Sequence, residues 1–369
     1  MKLLIAMNDF FSPSIGMAVS AQRTARELSA RGVEVRILSG GMEGKPDYPL
    51  KRWKVPLYRK RLEAQHLYFA HTNAETVREA VSWADLVHTW DPFPVSHQVL
   101  AEAYRQGKPR VGSFRFFPEN LTYGADIGGW DGMNHILRTG FREYIYNYCD
   151  VIVCPSRTVR KYLNQYAFRK GRPELVPTGI PASAVAEKIP HEGFRIFASG
   201  RLTAEKDHRT LLQAVRQSRY ADRIYVTIAG TGPAEAELQK EGSNLPHPAK
   251  ILPMRRHAWK KAAASADLYV QSSLVETEGL ACIESFAAGC VPVIADAPLS
   301  ASREHAVGAE HLYAAGDPAA LAAKIDWWIE HPVQLKDASG MYRKYAETFT
   351  TARQADRLMR IYEDLTAPR

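Results

Sequence analysis

The 369-residue sequence has only four cysteines, Cys149, Cys154, Cys282 and Cys290. None stands in Cys-x-x-Cys spacing, which argues against a cysteine metal site and against a disulfide framework. We read a reduced, cytoplasmic protein. Long apolar runs are also missing. Nothing approaches the ~18 consecutive apolar residues that span a bilayer. The opening MKLLIAMNDFF begins like a signal peptide, but its apolar run stops at Asn8-Asp9 and reads better as a first strand. Internal repeats and low-complexity tracts are absent as well. What remains is the composition of an ordinary globular chain, 46% hydrophobic and 24% charged, long enough for two domains that each bury a core.

Charge of one sign is in excess. The formal net charge is +8 and the pI about 9.2. Much of the excess gathers in KRWKVPLYRKR at 51–61, where Lys51, Arg52, Lys54, Arg59, Lys60 and Arg61 alternate with Trp53, Leu57 and Tyr58. Basic side chains attract anionic headgroups at roughly 1 kcal/mol each, and aromatic rings favour the interface. An anionic membrane surface is therefore one expected partner. A solvated loop with locally paired arginines is the plain alternative. Nucleic acid is a third candidate, but no nucleic-acid motif accompanies the patch, and we expect none to bind.

Short apolar segments alternate with helical patterns, which predicts parallel α/β architecture. Strands are expected at 3–7, 33–39, 85–90, 109–114, 151–154 and 174–179, with a helix from about Ala18 to Arg31. A Pro-, Ala- and Ser-rich stretch at 181–192 then reads as a linker. A second strand series follows at 194–200, 224–230, 249–253, 267–273 and 291–296. Two doubly wound units are implied, an N-terminal one at 1–180 and a C-terminal one at 193–340, with helices at 341–369. A cleft between such units is where open α/β sheets usually bind ligands.

The most informative segment is SSLVETEGLACIESFAAGCVPVIA, 272–295. Glu276 and Glu284 stand eight residues apart around the turn Glu278-Gly279-Leu280-Ala281. An amphipathic helix then carries Ile283, Phe286 and Ala287 on one face, Gly289 ends it, and a buried strand follows. A glycine turn opening a helix directs free N–H groups and the positive dipole end at one spot, which suits a diphosphate. The flanking carboxylates accept hydrogen bonds from sugar hydroxyls. An ordinary helix N-terminus with acidic residues complementing the dipole would read the same way.

This segment resembles the Glu-x7-Glu signature of retaining nucleotide-sugar glycosyltransferases of family 4, with the GT-B fold of two Rossmann-like domains. The stretch through Ala297-Pro298-Leu299-Ser300-Ala301 is similar to the bacterial branch that glucosylates cholesterol and diacylglycerol. The resemblance implies a UDP-sugar donor, UDP-glucose first, and a lipid or lipid-linked acceptor. It also implies peripheral association with the inner membrane face, with the C-terminal helices crossing back to the N-terminal domain. In GRLTAEKDHRTLL, Arg201 and Lys206 match the donor-diphosphate clamp, where arginine offers a planar fork and lysine a point charge. Glu276 would hold sugar hydroxyls and Glu284 the ribose. The N–H groups around Gly279 and Leu280 would face the diphosphate, Gly230 would lie near the nucleotide, and backbone groups of Pro253 and Met254 would read the base. The chain contains no Asp-x-Asp sequence, so no bridging metal or other cofactor is implied.

In the N-terminal half, SPSIGMAVSAQRTARELSARG places Gly16 near the donor phosphates by the same resemblance. GSFRFFPENLTYG supplies Arg115, Glu119 and Asn120 as substrate or acceptor residues. One departure stands out. Where relatives carry histidine in a Ser-Phe-His arrangement, this chain has Arg115, which stays protonated and cannot act as a base. Arg115 could favour a uronate donor such as UDP-glucuronate, face an anionic acceptor with glucose or galactose as the sugar, or pair with a local acid such as Glu119 or Asp126. A phosphorylase- or epimerase-like reaction, or a non-catalytic nucleotide-sugar binder, are the rival functions.

Overall fold

The computed structural model describes residues 1–12, 15–40, 44–53, 69–124, 128 and 130–368. These form two units. One gathers Met1–Pro118, Gly129–Gly179 and Thr351–Arg369, and the other Glu119–Gly128 and Ile180–Thr350.

The first unit is built on a parallel sheet of seven strands among the described residues. In spatial order they are Tyr48–Pro49, Glu34–Ser39, Lys2–Ala6, Leu86–Thr89, Arg110–Ser113, Val151–Cys154 and Arg172–Leu175. Leu3, Leu4, Ile5 and Ala6 are all fully buried. An unbroken apolar run without alternation is what a central parallel strand, covered on both faces, requires. Chain order reverses beside Lys2–Ala6, with Glu34–Ser39 on one side and Leu86–Thr89 on the other. The helix Thr351–Thr366 belongs to this unit. It packs on Gly16–Ala30, and its Tyr362 hydroxyl meets His88 Nδ1 at 2.6 Å while His88 Nε2 meets Ser113 Oγ at 2.9 Å. Burial, reinforced by the Arg115 charge, pulls the His88 pKa well below its ordinary value.

The second unit has its own parallel sheet, ordered Lys250–Leu252, Ile224–Ala229, Phe194–Ser199, Leu268–Gln271, Val291–Asp296 and Leu312–Ala314. Its core includes Phe197, Tyr269, Phe286, Ile294 and Trp328. The helix Leu280–Ala287 departs from the amphipathic expectation. Cys282 through Ala287 are all buried, because the helix Pro332–Ala346 packs against it. The Ser339 hydroxyl of that second helix donates to the Gly289 carbonyl at 2.7 Å. Pro332–Ala346 runs unbroken and groups with the second unit, and residues from Thr351 group with the first. The 181–192 segment is held rather than loose. Ala184 is buried, and Ile189 N donates to Ala264 O at 3.0 Å.

Candidate donor site

In the second sheet, Phe194–Ser199 is flanked by Ile224–Ala229 and Leu268–Gln271. Chain order therefore reverses there, and the loops leaving these C-terminal strand ends surround the position where open α/β sheets bind ligands. Arg201 and Lys206 follow the first strand, Gly230 the second, Glu276 and Gly279 the third. Pro253 and Met254 follow Lys250–Leu252.

The loop after Ser199 is anchored at several points. The Ser272 hydroxyl donates to Lys206 O at 2.8 Å, and Leu274 N to Glu205 O at 2.8 Å. Asp207 adopts a left-handed φ of 45° and caps the helix His208–Gln217, accepting from the Thr210 hydroxyl at 2.7 Å. Arg201 Nη2 donates to Glu205 Oε1 at 2.7 Å, and the Glu205 side chain is fully buried. Lys206 Nζ donates to Glu276 Oε2 at 2.6 Å. Burial alone would raise the Glu276 pKa. The Lys206 charge and hydrogen bond, the Glu278 backbone and the Arg201 charge outweigh it, so the carboxyl is held below its ordinary value. Glu276 is itself fixed by the short parallel pairing of Val275–Glu276 with Leu299–Ser300.

Gly279 precedes the helix Leu280–Ala287 with φ 82°. A Cβ here would be strained and would also strike the Ser302 hydroxyl, so glycine is required twice over. The N-cap residue is glycine and so makes no side-chain cap, and N–H groups of a helix's first turn suit an anion. The carbonyl of Glu278 meets His305 Nε2 at 3.2 Å, and His305 Nδ1 meets the Tyr345 hydroxyl at 3.0 Å. Gly230 serves close packing, since a Cβ would overlap the Gly200 carbonyl.

Glu284 is buried within the helix and ion-pairs with Arg256. The Arg256 guanidinium lies 5.3 Å from the Trp259 ring centroid. Sequence reasoning overlooked Arg256, Glu205 and His305. The Arg201–Glu205 spacing of four residues could have flagged Glu205, whereas nothing local links Arg256 or His305 to the motif. Pro253 is exposed and Met254 half-buried.

The remaining expected residues divide between the units. Glu119 and Asn120 are buried in the helix Pro118–Gly124 and group with the second unit. There the Tyr123 phenol is raised by burial and by Glu205, Asp207 and Glu119. Gly16 opens Gly16–Ala30 in the first unit, with open space where a Cβ would stand. Arg115 follows Arg110–Ser113 in the same unit, is buried, and donates to the Thr178 hydroxyl. In the basic segment 51–61, only Lys51, Arg52 and Trp53 fall among the described residues, so most of that expectation lies outside them. Among the described residues no helix is long and apolar enough to cross a membrane.

Comparison with known proteins extends this geometry. The α-monoglucosyldiacylglycerol synthase of Streptococcus pneumoniae is 29% identical over 168 residues, 40% of this chain and 37% of that one. The match thus spans well under half of that relative. The catalytic domain of a Helicobacter pylori cholesterol-α-glucosyltransferase is 33% identical over 43% of this chain and 99% of that chain, with a TM-score of 0.42. An Anabaena protein, HepE, solved with UDP-glucose, superposes over 99% of this chain and 100% of that one, with a TM-score of 0.75 at 14% identity. That likeness shows the fold. The Glycosyltransferase Family 4 model matches residues 15–184, and the Glycosyl transferases group 1 model matches 180–348. With one model adjoining the other from 15 to 348 on two Rossmann-like units, the chain belongs to the family 4 glycosyltransferases of the GT-B fold.

Proposed function

We propose that the chain is a retaining hexosyltransferase that moves glucose from UDP-glucose to a membrane lipid or lipid-linked acceptor at the inner face of the membrane. The observation that carries the reading is the Lys206–Glu276 ion pair beside the uncapped helix start at Gly279, at the switch point of the second sheet. As the glycosidic bond breaks, charge develops on the departing diphosphate. Arg201, Lys206 and the first-turn N–H groups are aimed at that charge, and stabilisation of this kind is often the largest catalytic term. Lys206 is held in place by Glu276, and Arg201 by Glu205, before any donor arrives, so little side-chain freedom is lost on binding. Glu276 receives sugar hydroxyls. Glu284 receives the ribose, with Arg256 yielding or sharing the carboxylate. Neither carboxylate need bond covalently to the sugar, and no divalent metal or other cofactor is needed. Retention draws its support from the Glu-x7-Glu resemblance, and the lipid acceptor from the likeness to the Streptococcus pneumoniae α-monoglucosyldiacylglycerol synthase.

The test incubates the purified chain with radiolabelled UDP-glucose and a bacterial lipid extract. Label moving into the organic phase supports the proposal. UDP-sugar binding without release of UDP would leave a non-catalytic binder.

A second reading concerns the sugar. Arg115 is buried, and its charge acts on both His88 and Cys154. A fixed guanidinium pairs a carboxylate in bidentate fashion, which favours UDP-glucuronate over UDP-glucose or UDP-galactose in assembly of a surface polysaccharide. Donor competition in wild type and Arg115→His decides. A uronate preference that the variant reverses supports this reading, and unchanged preference for neutral sugars removes it.

A further inference from the structure

His305 ends the short turn Ala301–His305 and is buried in the second unit. Its ring lies edge-on to Phe286 and Phe349, at 5.8 and 5.5 Å between centroids. A phenylalanine would pack in such company as well, so apolar burial alone does not call for histidine. Both ring nitrogens are nevertheless engaged, Nε2 with the Glu278 carbonyl at 3.2 Å and Nδ1 with the Tyr345 hydroxyl at 3.0 Å. A carbonyl only accepts, so Nε2 carries the hydrogen and Nδ1 accepts from the phenol. Burial lowers the His305 pKa against the opposing Glu278 carbonyl and Glu304 charge, which keeps the ring in this neutral form at neutral pH. The main chain of the residue is tied to the helix that carries Tyr345, Pro332–Ala346. There the Tyr342 hydroxyl donates to His305 O at 3.0 Å and accepts from Val307 N at 3.2 Å. Ring and main chain are thus held from one helix.

The atom that His305 grips is half of a peptide unit. The Glu278 carbonyl and the Gly279 N–H share one plane and point in opposite directions. Holding the carbonyl toward His305 therefore turns the N–H away from it. Gly279, at φ 82°, has no side chain to resist rotation of that plane. A restraint on the peptide has to come from its surroundings, and the His305 hydrogen bond supplies one.

We propose that His305 is a positioning residue for the donor diphosphate: it locks the Glu278–Gly279 peptide in one orientation, so that the Gly279 N–H faces the diphosphate before a donor arrives. The inference rests on the donor reading given above and adds the side chain that sets the turn. A donor group fixed in advance loses little freedom on binding and needs no reorientation as charge develops. Tyr345 acts one step further back, by holding the imidazole in the tautomer that donates to the carbonyl.

The test titrates the full chain with UDP and with uridine, and follows amide hydrogen exchange across residues 276–282 without ligand. His305→Phe keeps a ring and loses the donor, whereas His305→Gln keeps a donor at similar reach and loses the ring. His305→Phe should weaken UDP about tenfold, leave uridine within about twofold, and speed exchange in the segment. His305→Gln should recover most of the UDP affinity, which a role in packing alone would not allow. Tyr345→Phe loses a single hydroxyl and should weaken UDP a few-fold without touching uridine, which guards against a misfolded His305 variant. Unchanged UDP affinity in His305→Phe, parallel losses of UDP and uridine, or a His305→Gln no better than His305→Phe would overturn the proposal. If wild type binds UDP no tighter than uridine while His305→Phe still speeds exchange, the donor reading fails, and the diphosphate role of His305 with it, while the peptide lock stands.

Discussion

Lys206 and Glu276 meet at 2.6 Å across the reversal point of the second sheet, seventy residues apart in sequence. On the proposed reading, the contact unites the diphosphate clamp with the sugar-binding carboxylate. Removing one charge-assisted contact to a developing anion costs about 2–4 kcal/mol. Lys206→Ala should therefore lower kcat by roughly 10² or more, with the fold confirmed by circular dichroism. Glu276→Gln should cripple transfer while leaving UDP affinity within a few-fold of wild type. Near-normal kcat for Lys206→Ala would remove it from the site, and a large loss of UDP binding for Glu276→Gln would exchange the two glutamates' roles.

The same pairing bears on pH. Glu276 is held below its ordinary value, so it stays ionised as pH falls through the usual carboxylate range. Its contribution to stability is present above the unfolded pKa and is lost only as pH falls through the lower folded value. His208 behaves differently. Burial, with the Lys206 charge adding to it and an Arg201 backbone contact opposing it, lowers its pKa from 6.5 to about 4. Between these values the unfolded chain binds a proton that the folded chain refuses, so stability falls as pH drops from about 6.5 to about 4. Asp91 works with the opposite sign. Burial raises it to about 6 against the hydrogen bonds from Asn8, Ser96 and Phe93, so its contribution is lost as pH rises from 3.8 to about 6. Tm measured against pH should be less steep for His208→Gln than for wild type across 4–6.5. Parallel curves would place the His208 proton elsewhere.

Gly279 is the backbone position on which the helix start depends. Gly279→Ala forces an L-residue into left-handed geometry, at about 1–2 kcal/mol, and drives its methyl into Ser302. We expect a lower Tm and at least a tenfold weaker UDP Kd, as the first-turn N–H groups shift. Adding Ser302→Gly should recover part of the Tm, because it removes the overlap and leaves the φ strain. Equal Tm values for the single and double variants would show that Ser302 is not the obstacle.

Much of this arrangement was legible in the sequence, and the unread parts have physical causes. Fully buried parallel strands such as Leu3–Ala6 and Val291–Ala295 are contiguous apolar runs, so both sheets could be read locally. Arg201, Lys206, Gly230, Glu276 and Gly279 were singled out by the GRLTAEK, AGTGP and Glu-x7-Glu patterns, each of which is local in sequence. The edge strands Tyr48–Pro49 and Leu312–Ala314 were not foreseen, since two or three residues carry no periodicity. Arg256 and His305 were missed because their partners, Glu284 and the Glu278 carbonyl, are 28 and 27 residues away. The helix Leu280–Ala287 was read as amphipathic because the helix that covers its other face begins only at Pro332.

If Arg201 and Lys206 supply the cations to the diphosphate as proposed, turnover should survive exhaustive dialysis against EDTA. The check is the release of UDP before and after chelation. Loss of activity that magnesium or manganese restores would assign part of the diphosphate charge to a metal.

The most direct test of the account is the anomeric configuration of the sugar in the transferred product. UDP-glucose, the proposed donor, is α-linked, so the proposed retaining mechanism yields an α-linked product. Proton NMR of the purified glucolipid should show an α-anomeric signal that is absent when Lys206→Ala replaces wild type. A β-linked product would contradict the retaining mechanism, and an α-linked product formed equally well by Lys206→Ala would contradict the role assigned to the clamp.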